Sequence, residues 1–348
     1  MSIVSNINLS IPNIQHQKIF FCVLNWGIGH ATRSIPIIDL LLKNENEIIL
    51  FSDGEAKKVL SLRFPNLTII ELPSYNIKYQ KTSFFMLKMF FQLKKIKNAI
   101  EAEQKVIEKW FNIESPDWII SDNRYGCFSD KTKNIIITHQ FQLKYNFAPL
   151  VWLSKKVINH YLKPFDEAWI PDDKSVKLSG ELASCSVPIS TRWIGLHSDL
   201  KQIENPEKED YILVLLSGPE PRRSMIELQL LSILSHSNKK TVFIAGNFLK
   251  SYHEYVQKNI QYFSYKERKD LSPWISGAKT IICRSGYTTL IDLYCLAKKD
   301  IICIPTLGQI EQEYLAEYQA KNGFCSTLTE NEIESKLLKL LDKDFNAK

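Results

Sequence analysis

The chain lacks several features that would place it quickly. Its seven cysteines, Cys22, Cys127, Cys185, Cys283, Cys295, Cys303 and Cys325, form no CxxC pair and no paired-spacing framework, so a reduced cytosol suits the chain better than secretion. No uninterrupted apolar stretch approaches the ~20 residues of a membrane span. The opening MSIVSNINLSIPNIQHQK has no basic-then-apolar order of a secretory signal. A cytoplasmic protein is expected, at most peripheral on the inner face of the membrane. Repeats and low-complexity tracts are missing as well. The charge balance is mild: 44 Lys+Arg against 38 Asp+Glu gives a net charge of +6. That suits an anionic substrate or membrane surface, and no nucleic-acid partner is expected.

With 348 residues, 45% of them hydrophobic, the chain exceeds what one core usually organises, and two packed domains follow. From residue 18 onward, β-branched apolar runs alternate with helical patterns: KIFFCVLNW, EIILFSD, LTIIELP, DWIISDN, NIIITHQ and EAWIPDD. After the polar stretch HSDLKQIENPEKED the rhythm restarts with YILVLLSG, KTVFIAGN, IQYFSY, TIICRSG and DIICIPT. This is the pattern of parallel sheets covered by helices. It predicts an N-terminal domain over 1–197, a linker over 198–210, a C-terminal domain over 211–328 and a closing helix over 329–348. Ligands of such sheets bind beyond the carboxyl ends of the strands. The unusual residues of this chain stand there.

NWGIGHATRSIPIIDLL puts Gly27 and Gly29 in a strand-to-helix turn, where a ligand can approach the backbone, and His30 at the start of the helix. As a dinucleotide fingerprint it is poor, because Thr32 occupies the third glycine position, although Asp53 falls near the expected ribose-binding acid. His30 reads either as a structural cap or as a catalytic base. The second constellation, ICRSGYTTLIDLYCLAKKDIICIPTLGQIEQEYLA, is more specific. A strand delivers Arg284, Ser285 and Gly286 to a turn, Thr288 and Thr289 head a helix, and Asp292 stands one turn on. Amides and hydroxyls at a helix start suit a diphosphate, and a carboxylate one turn further can bridge ribose hydroxyls. After Pro305, the loop TLGQIEQE presents Gln312 and Glu313, polar groups able to meet sugar hydroxyls. The plainer reading is a capped helix followed by a polar loop.

These residues resemble the MurG-like glycosyltransferases, glycosyltransferase family 28, over both halves of the chain. That family opens its N-terminal domain with a glycine loop followed by GH, matching Gly27, Gly29 and His30. Its C-terminal domain carries RSG, Thr and an acidic ribose ligand, matching Arg284, Ser285, Gly286, Thr289 and Asp292, and then paired Gln residues where Gln312 and Glu313 stand. The resemblance implies an α/β GT-B fold, two Rossmann-like parallel-sheet domains facing a central cleft, with the acceptor on the first domain and the donor on the second. It implies an inverting, metal-independent hexosyltransferase using a nucleotide-sugar, a UDP-sugar, as cosubstrate and no cofactor. No DxD-like metal pair stands at a convincing site.

Ser217, Gly218, Gly246 and Asn247 are expected near the diphosphate or uracil, and Arg284, Ser285 and Thr289 at the phosphates. His30 is the first choice for general base, with Asp122 and His139 in reserve. Asn123, Arg124 and Gln140 are further acceptor-side residues. The chain departs from the family in having Asp292 for Glu, Glu313 for Gln, Trp26 and Ile28 in the glycine turn, and Thr306–Gln309 where aromatic and histidine residues are common. A divergent branch with an unknown, lipid-linked or cell-envelope glycan acceptor is the expectation.

The segment 83–111 gathers Phe84, Phe85, Met86, Phe90 and Phe91 with Lys88, Lys94, Lys95 and Lys97. It reads either as a membrane contact through 83–97 or as a helix burying its aromatic face. Competing functions are a nucleotide-sugar 2-epimerase, which would isomerise the donor without an acceptor, and an inactive nucleotide-sugar-binding protein.

Overall fold

The computed structural model describes residues 3–4, 9–75, 85–144, 148–203, 210–247 and 252–346. The chain forms two compact units: Ile7–His197, and Met1–Asn6 together with Ser198–Lys348. Strand β1 (Ile3–Val4) belongs with the second unit because it pairs antiparallel with β9 (Gln202–Ile203).

In the first unit β2 (Lys18–Val23), β3 (Glu47–Ser52), β4 (Ile69–Glu71), β5 (Trp118–Asp122), β6 (Lys133–Ile137), β7 (Glu167–Ile170) and β8 (Ser190–Trp193) make one sheet. Its order is β4-β3-β2-β5-β6-β7-β8, and every pairing is parallel. Both faces of β2 are buried. Ile19, Phe21 and Val23 pack with Ile35, Ile38 and Leu41 of α1 (Gly29–Lys43) and Leu60 of α2 (Gly54–Arg63). The alternate residues Phe20 and Cys22 pack with Ile107 of α3 (Phe85–Glu114). A continuous apolar run is what a strand covered on both faces requires. The fourth helix of this unit is α4 (Ala148–Leu162).

The second unit repeats the plan. Strands β10 (Tyr211–Leu215), β11 (Lys240–Ile244), β12 (Glu254–Gln257), β13 (Ile260–Phe263), β14 (Thr280–Cys283), β15 (Ile301–Cys303) and β16 (Ser326–Thr327) lie in the order β12-β13-β11-β10-β14-β15-β16. All pair in parallel except β12. The helices are α5 (Arg222–Leu234), α6 (Leu271–Gly277), α7 (Tyr287–Cys295), α8 (Ile310–Lys321) and α9 (Ile333–Asn346). Leu337 and Leu341 of α9 are fully buried in one cluster with Leu230 and Leu234 of α5, so the last helix is part of this core.

Besides the two-residue strands β1 and β9, three strands were absent from the sequence-based expectation: β8, β12 and β16. The side chains of β12 and β16 are exposed, as are most of β8, so none carries the apolar run that marks a buried strand. The stretch expected as a linker behaves otherwise where it is described. Ser198 Oγ donates to Asp292 Oδ1 at 2.5 Å and Lys201 N donates to Ser272 Oγ at 3.0 Å, which ties the start of 198–210 to the second unit. Residues 204–209 lie outside the described residues. So do residues 83–84 and the side chains from Phe85 to Phe91, and with them most of the expected membrane-contact segment; Lys94, Lys95 and Lys97 are exposed. Among the described residues, no helix is long and apolar enough to cross a membrane.

Candidate functional site

Among the parallel strands, each sheet reverses its strand order once, between β2 and β5 in the first unit and between β10 and β14 in the second. Loops leaving neighbouring strands part in opposite directions at such a point, and ligands bind there. The singled-out residues follow both pairs of strands.

In the first unit the turn after β2 passes through Gly27, at φ +75° with open space where a Cβ would stand, and enters α1 at Gly29. No side chain caps the first turn of α1. His30 and Arg33, one turn apart, meet the carboxylate of Asp122 at the end of the neighbouring β5. His30 Nδ1 lies 2.7 Å from Asp122 Oδ1. Arg33 Nε donates to Asp122 Oδ2 at 2.8 Å, Arg33 Nη2 donates to Oδ1, and Ser34 Oγ donates to Oδ2 at 3.0 Å. Arg33 Nη1 stands 3.1 Å from His139 Nδ1, just past the end of β6. Sequence reasoning named His30, Asp122 and His139 separately; the structure brings all three together around Arg33.

Burial alone would raise the Asp122 carboxyl, but the charge of Arg33 and the hydrogen bonds from Arg33 and His30 hold it below the ordinary carboxylate range. Burial lowers His30, Arg33 lowers it further, and Asp122 opposes both. The site therefore holds a neutral imidazole against a permanent anion. An arrangement of this kind can accept a proton and stabilise the resulting cation.

Other first-unit expectations go to the framework. Arg124 is fully buried and donates to Val23 O at 3.0 Å, Pro73 O at 2.9 Å and Glu103 Oε1 at 2.9 Å, and it is ion-paired with Asp53. Asp53 also accepts from Asn25 Nδ2 at 3.3 Å. Neither charge is turned outward to a ligand, which also removes the support for Asp53 as a dinucleotide ribose ligand. Asn123 has φ +56°. Gln140 N donates to Thr138 Oγ1 at 3.2 Å.

In the second unit β10 is followed by Ser217 and Gly218, β11 by Gly246 and Asn247, and β14 by Arg284, Ser285 and Gly286. Gly246 has φ +66°, and a Cβ there would stand 2.2 Å from Leu216 O, so this glycine lets the β11 end lie against the β10 end. Asn247 is buried, and its backbone N donates to Ser264 O at 2.8 Å. Gly286 precedes α7 with no side-chain cap. Thr289 Oγ1 lies 3.8 Å from where a Cβ on Gly286 would stand, and Thr288 is its half-buried neighbour in the first turn of α7. Ser285 Oγ donates to Gln312 O at 2.8 Å, joining the two halves of the motif. Gln312 Oε1 accepts from Thr306 N at 3.0 Å, and Glu313 Oε1 accepts from Gly308 N at 2.7 Å; both side chains fold back on their own loop.

Two positions depart from the expected geometry. The Arg284 guanidinium is buried, donating from Nη1 to Ile304 O at 3.1 Å, Pro305 O at 3.3 Å and Glu330 Oε1 at 2.9 Å. It fastens strand-end loops together. Arg222, which shares Glu330 with Arg284, keeps an accessible side chain, 34% exposed at the start of α5 and 3.0 Å from Glu330. Thr306 Oγ1 is buried without a hydrogen-bond partner, 3.6 Å from where a Cβ on Gly218 would stand. Asp292 is not open on all sides either. Arg268 Nη1 donates to its Oδ2 at 2.8 Å and Nη2 to its Oδ1 at 2.7 Å, alongside Ser198. Arg268 is also ion-paired with Asp199. Burial would lower Arg268, but the charges of Asp292 and Asp199 raise it. Among the described residues, no group of three or more His, Cys, Asp or Glu is placed to hold a metal ion.

Comparison with known proteins agrees with this architecture. Residues 218–348 match the glycosyltransferase family 28 C-terminal domain. A UDP-N-acetylglucosamine--N-acetylmuramyl-(pentapeptide) pyrophosphoryl-undecaprenol N-acetylglucosamine transferase of Lactobacillus acidophilus is 22% identical over 306 residues, 80% of this chain and 76% of that one. Among solved structures, the calicheamicin glycosyltransferase CalG4 superposes with a TM-score of 0.66 at 12% identity, covering 95% of this chain and 90% of that one. MurG of Acinetobacter baumannii gives 0.56 at 11% identity, covering 93% and 90%. Spinosyn rhamnosyltransferase SpnG, complexed with thymidine diphosphate, gives 0.64 at 11% identity, covering 94% and 92%.

The chain has the GT-B fold and is a glycosyltransferase. More particularly, residues 218–348 resemble the glycosyltransferase family 28 C-terminal domain, and MurG proteins are among the relatives that the chain is similar to.

Proposed function

We propose that the chain transfers a sugar from a UDP-sugar to an acceptor hydroxyl with inversion and without a metal ion. The acceptor is a lipid-linked or cell-envelope glycan. The relative from Lactobacillus acidophilus, named for a UDP-sugar donor and an undecaprenol-linked acceptor, supports both classes. The observation that carries the catalytic reading is the 2.7 Å contact of His30 Nδ1 with buried Asp122. His30 Nε2 takes the acceptor proton as the acceptor oxygen bonds to the anomeric carbon, and the bond from that carbon to the diphosphate breaks. Asp122 stabilises the imidazolium so formed. His139 stays on the acceptor side.

The diphosphate is assigned to the start of α7, with Ser285, Gly286, Thr288 and Thr289, and to the Ser217–Gly218 turn. Aligned amides at a helix start stabilise a developing anion. Arg222 supplies the accessible cation there, in place of Arg284. Gln312 and Glu313 are kept as sugar-side residues and Gly246 and Asn247 as base-side residues.

Asp292 remains the ribose ligand of this reading. An ionised carboxylate has about four acceptor positions, and Ser198 with Arg268 occupies three of them, leaving room at Oδ2 for one ribose hydroxyl. Asp292→Ala should therefore weaken UDP binding by on the order of 1.5–3 kcal/mol and erase discrimination between ribose and 2′-deoxyribose nucleotides. Calorimetric titration of both nucleotides checks this. Unchanged discrimination in the variant would take the ribose away from Asp292. Incubating the donor alone separates the competing enzyme, since a 2-epimerase would isomerise it without an acceptor.

A further inference from the structure

Arg33 stands where two histidines and one carboxylate meet, and an arginine only donates hydrogen bonds. Its side chain is almost wholly buried, with Nε and Nη2 on Asp122, Nη1 3.1 Å from His139 Nδ1 and Nη2 2.8 Å from His30 Nδ1. We propose that Arg33 is a positioning residue that, with Asp122, fixes the two site histidines in opposite tautomers, His30 with its proton on Nδ1 and His139 with its proton on Nε2. This rests on the reading of His30 as the base and deepens it.

At His139 the inference is direct. There Nδ1 lies 3.1 Å from Arg33 Nη1, which can only donate, so a bare Nδ1 satisfies the contact and a ring holding one proton carries it on Nε2. His30 faces two groups that make opposite demands on the same nitrogen. A bare Nδ1 would accept from Arg33, but it would then set a lone pair against the Asp122 carboxylate oxygen at 2.7 Å. A protonated Nδ1 donates a charge-assisted bond to that carboxylate and leaves Arg33 Nη2 beside a donor. The second arrangement costs less, because Arg33 Nη2 already has its partner in Asp122, whereas a lone pair on Nδ1 would face a full carboxylate charge 2.7 Å away.

The two rings then do different work. His30 keeps its Nε2 lone pair and can accept a proton, whereas the Nε2–H of His139 makes that ring a donor that orients an oxygen. The groups facing this cluster are Arg33 and Ser34 of α1, Asp122 of β5, His139 after β6, and His197 after β8, whose Nε2 lies 3.2 Å from Arg33 O. Arg33 also disfavours a charged His30, which keeps the base unprotonated before the acceptor arrives.

Nitrogen NMR of the histidine-labelled full chain at neutral pH reads the tautomers directly, with His30→Gln and His139→Gln assigning the signals. An Nδ1–H ring for His30 and an Nε2–H ring for His139 are expected; the same tautomer in both rings overturns the proposal. Arg33→Met should release His139 to a tautomer mixture and move the acidic limb of kcat/KM to higher pH, by on the order of one unit, because a cation that lowers His30 is gone. Arg33→Lys keeps the charge opposite Asp122 without the fork, so it should release His139 while moving the limb less. A folded Arg33→Lys with wild-type tautomers and pH profile would also overturn the proposal, and the wild-type spectrum decides if neither variant folds. Opposite tautomers together with full activity in His30→Ala would instead leave the tautomers standing and remove the base.

Discussion

His30→Ala should lower transfer by roughly 10²–10⁴, the usual range for losing a positioned general base, while nucleotide binding stays near that of the wild type. His30 belongs to the first unit and the nucleotide is assigned to residues of the second, so the substitution alters none of the residues assigned to the nucleotide. His30→Asn should be nearly as damaging, since an amide keeps a hydrogen bond to Asp122 but does not take up the proton. Turnover at saturating donor, with the melting temperature as a check on folding, measures both variants. Burial and Arg33 lower the pKa of His30 below its ordinary 6.5, so the neutral, proton-accepting form persists as the pH falls through that value. Wild-type kcat/KM should accordingly hold to a more acidic pH than an unperturbed histidine allows. Near-wild-type turnover in folded His30→Ala would send the search for the base to His139.

Asp122→Ala carries the largest expected cost in stability. Removing one partner from a buried ion pair leaves an uncompensated charge, typically about 3–5 kcal/mol. Here the stranded group is Arg33, 2% exposed, and Ser34 loses its acceptor as well. Urea unfolding of the variant measures the cost, and a loss under about 1 kcal/mol, the scale of a surface pair, would mean that Arg33 is not held by Asp122. The pH dependence has a definite sign. A carboxyl whose folded pKa lies below its ordinary 3.8 stabilises the fold fully above that value and loses this contribution as the pH falls through the folded value. The variant should therefore lack that part of the acid sensitivity.

The alternation of apolar runs and helical patterns was enough to place most of the parallel strands, because a strand buried on both faces must be apolar at consecutive positions. The exposed edge strands β8 and β12 carry no such mark. Residue types at strand ends pointed to His30, Asp122 and His139 separately, yet nothing in their spacing said that they share one arginine. Arg33 did leave a trace: it stands three positions after His30 in a helix whose following residues are apolar, where a charge has to find a partner. Arg268 left less, since ERKD reads like any solvated charged turn, and only the fold brings it to Asp292. Arg284 shows the converse difficulty. A sequence motif names the residue but not the direction of its side chain, and this guanidinium turns inward to Glu330 and the carbonyls after β15.

The nucleotide-sugar donor is the centre of this account, and a melting-temperature series with UDP, UDP-sugars, other nucleoside diphosphates and NAD, run with a chelator and again with magnesium, tests it most directly. A ligand that binds only the folded state adds about 2.7 kcal/mol at one hundred times its Kd, which a melting curve resolves. UDP or a UDP-sugar should raise the melting temperature equally with and without the divalent ion, because amides, hydroxyls and Arg222 are assigned to the diphosphate. Equal stabilisation by NAD with none from any nucleoside diphosphate, or stabilisation by UDP only when magnesium is present, would contradict it.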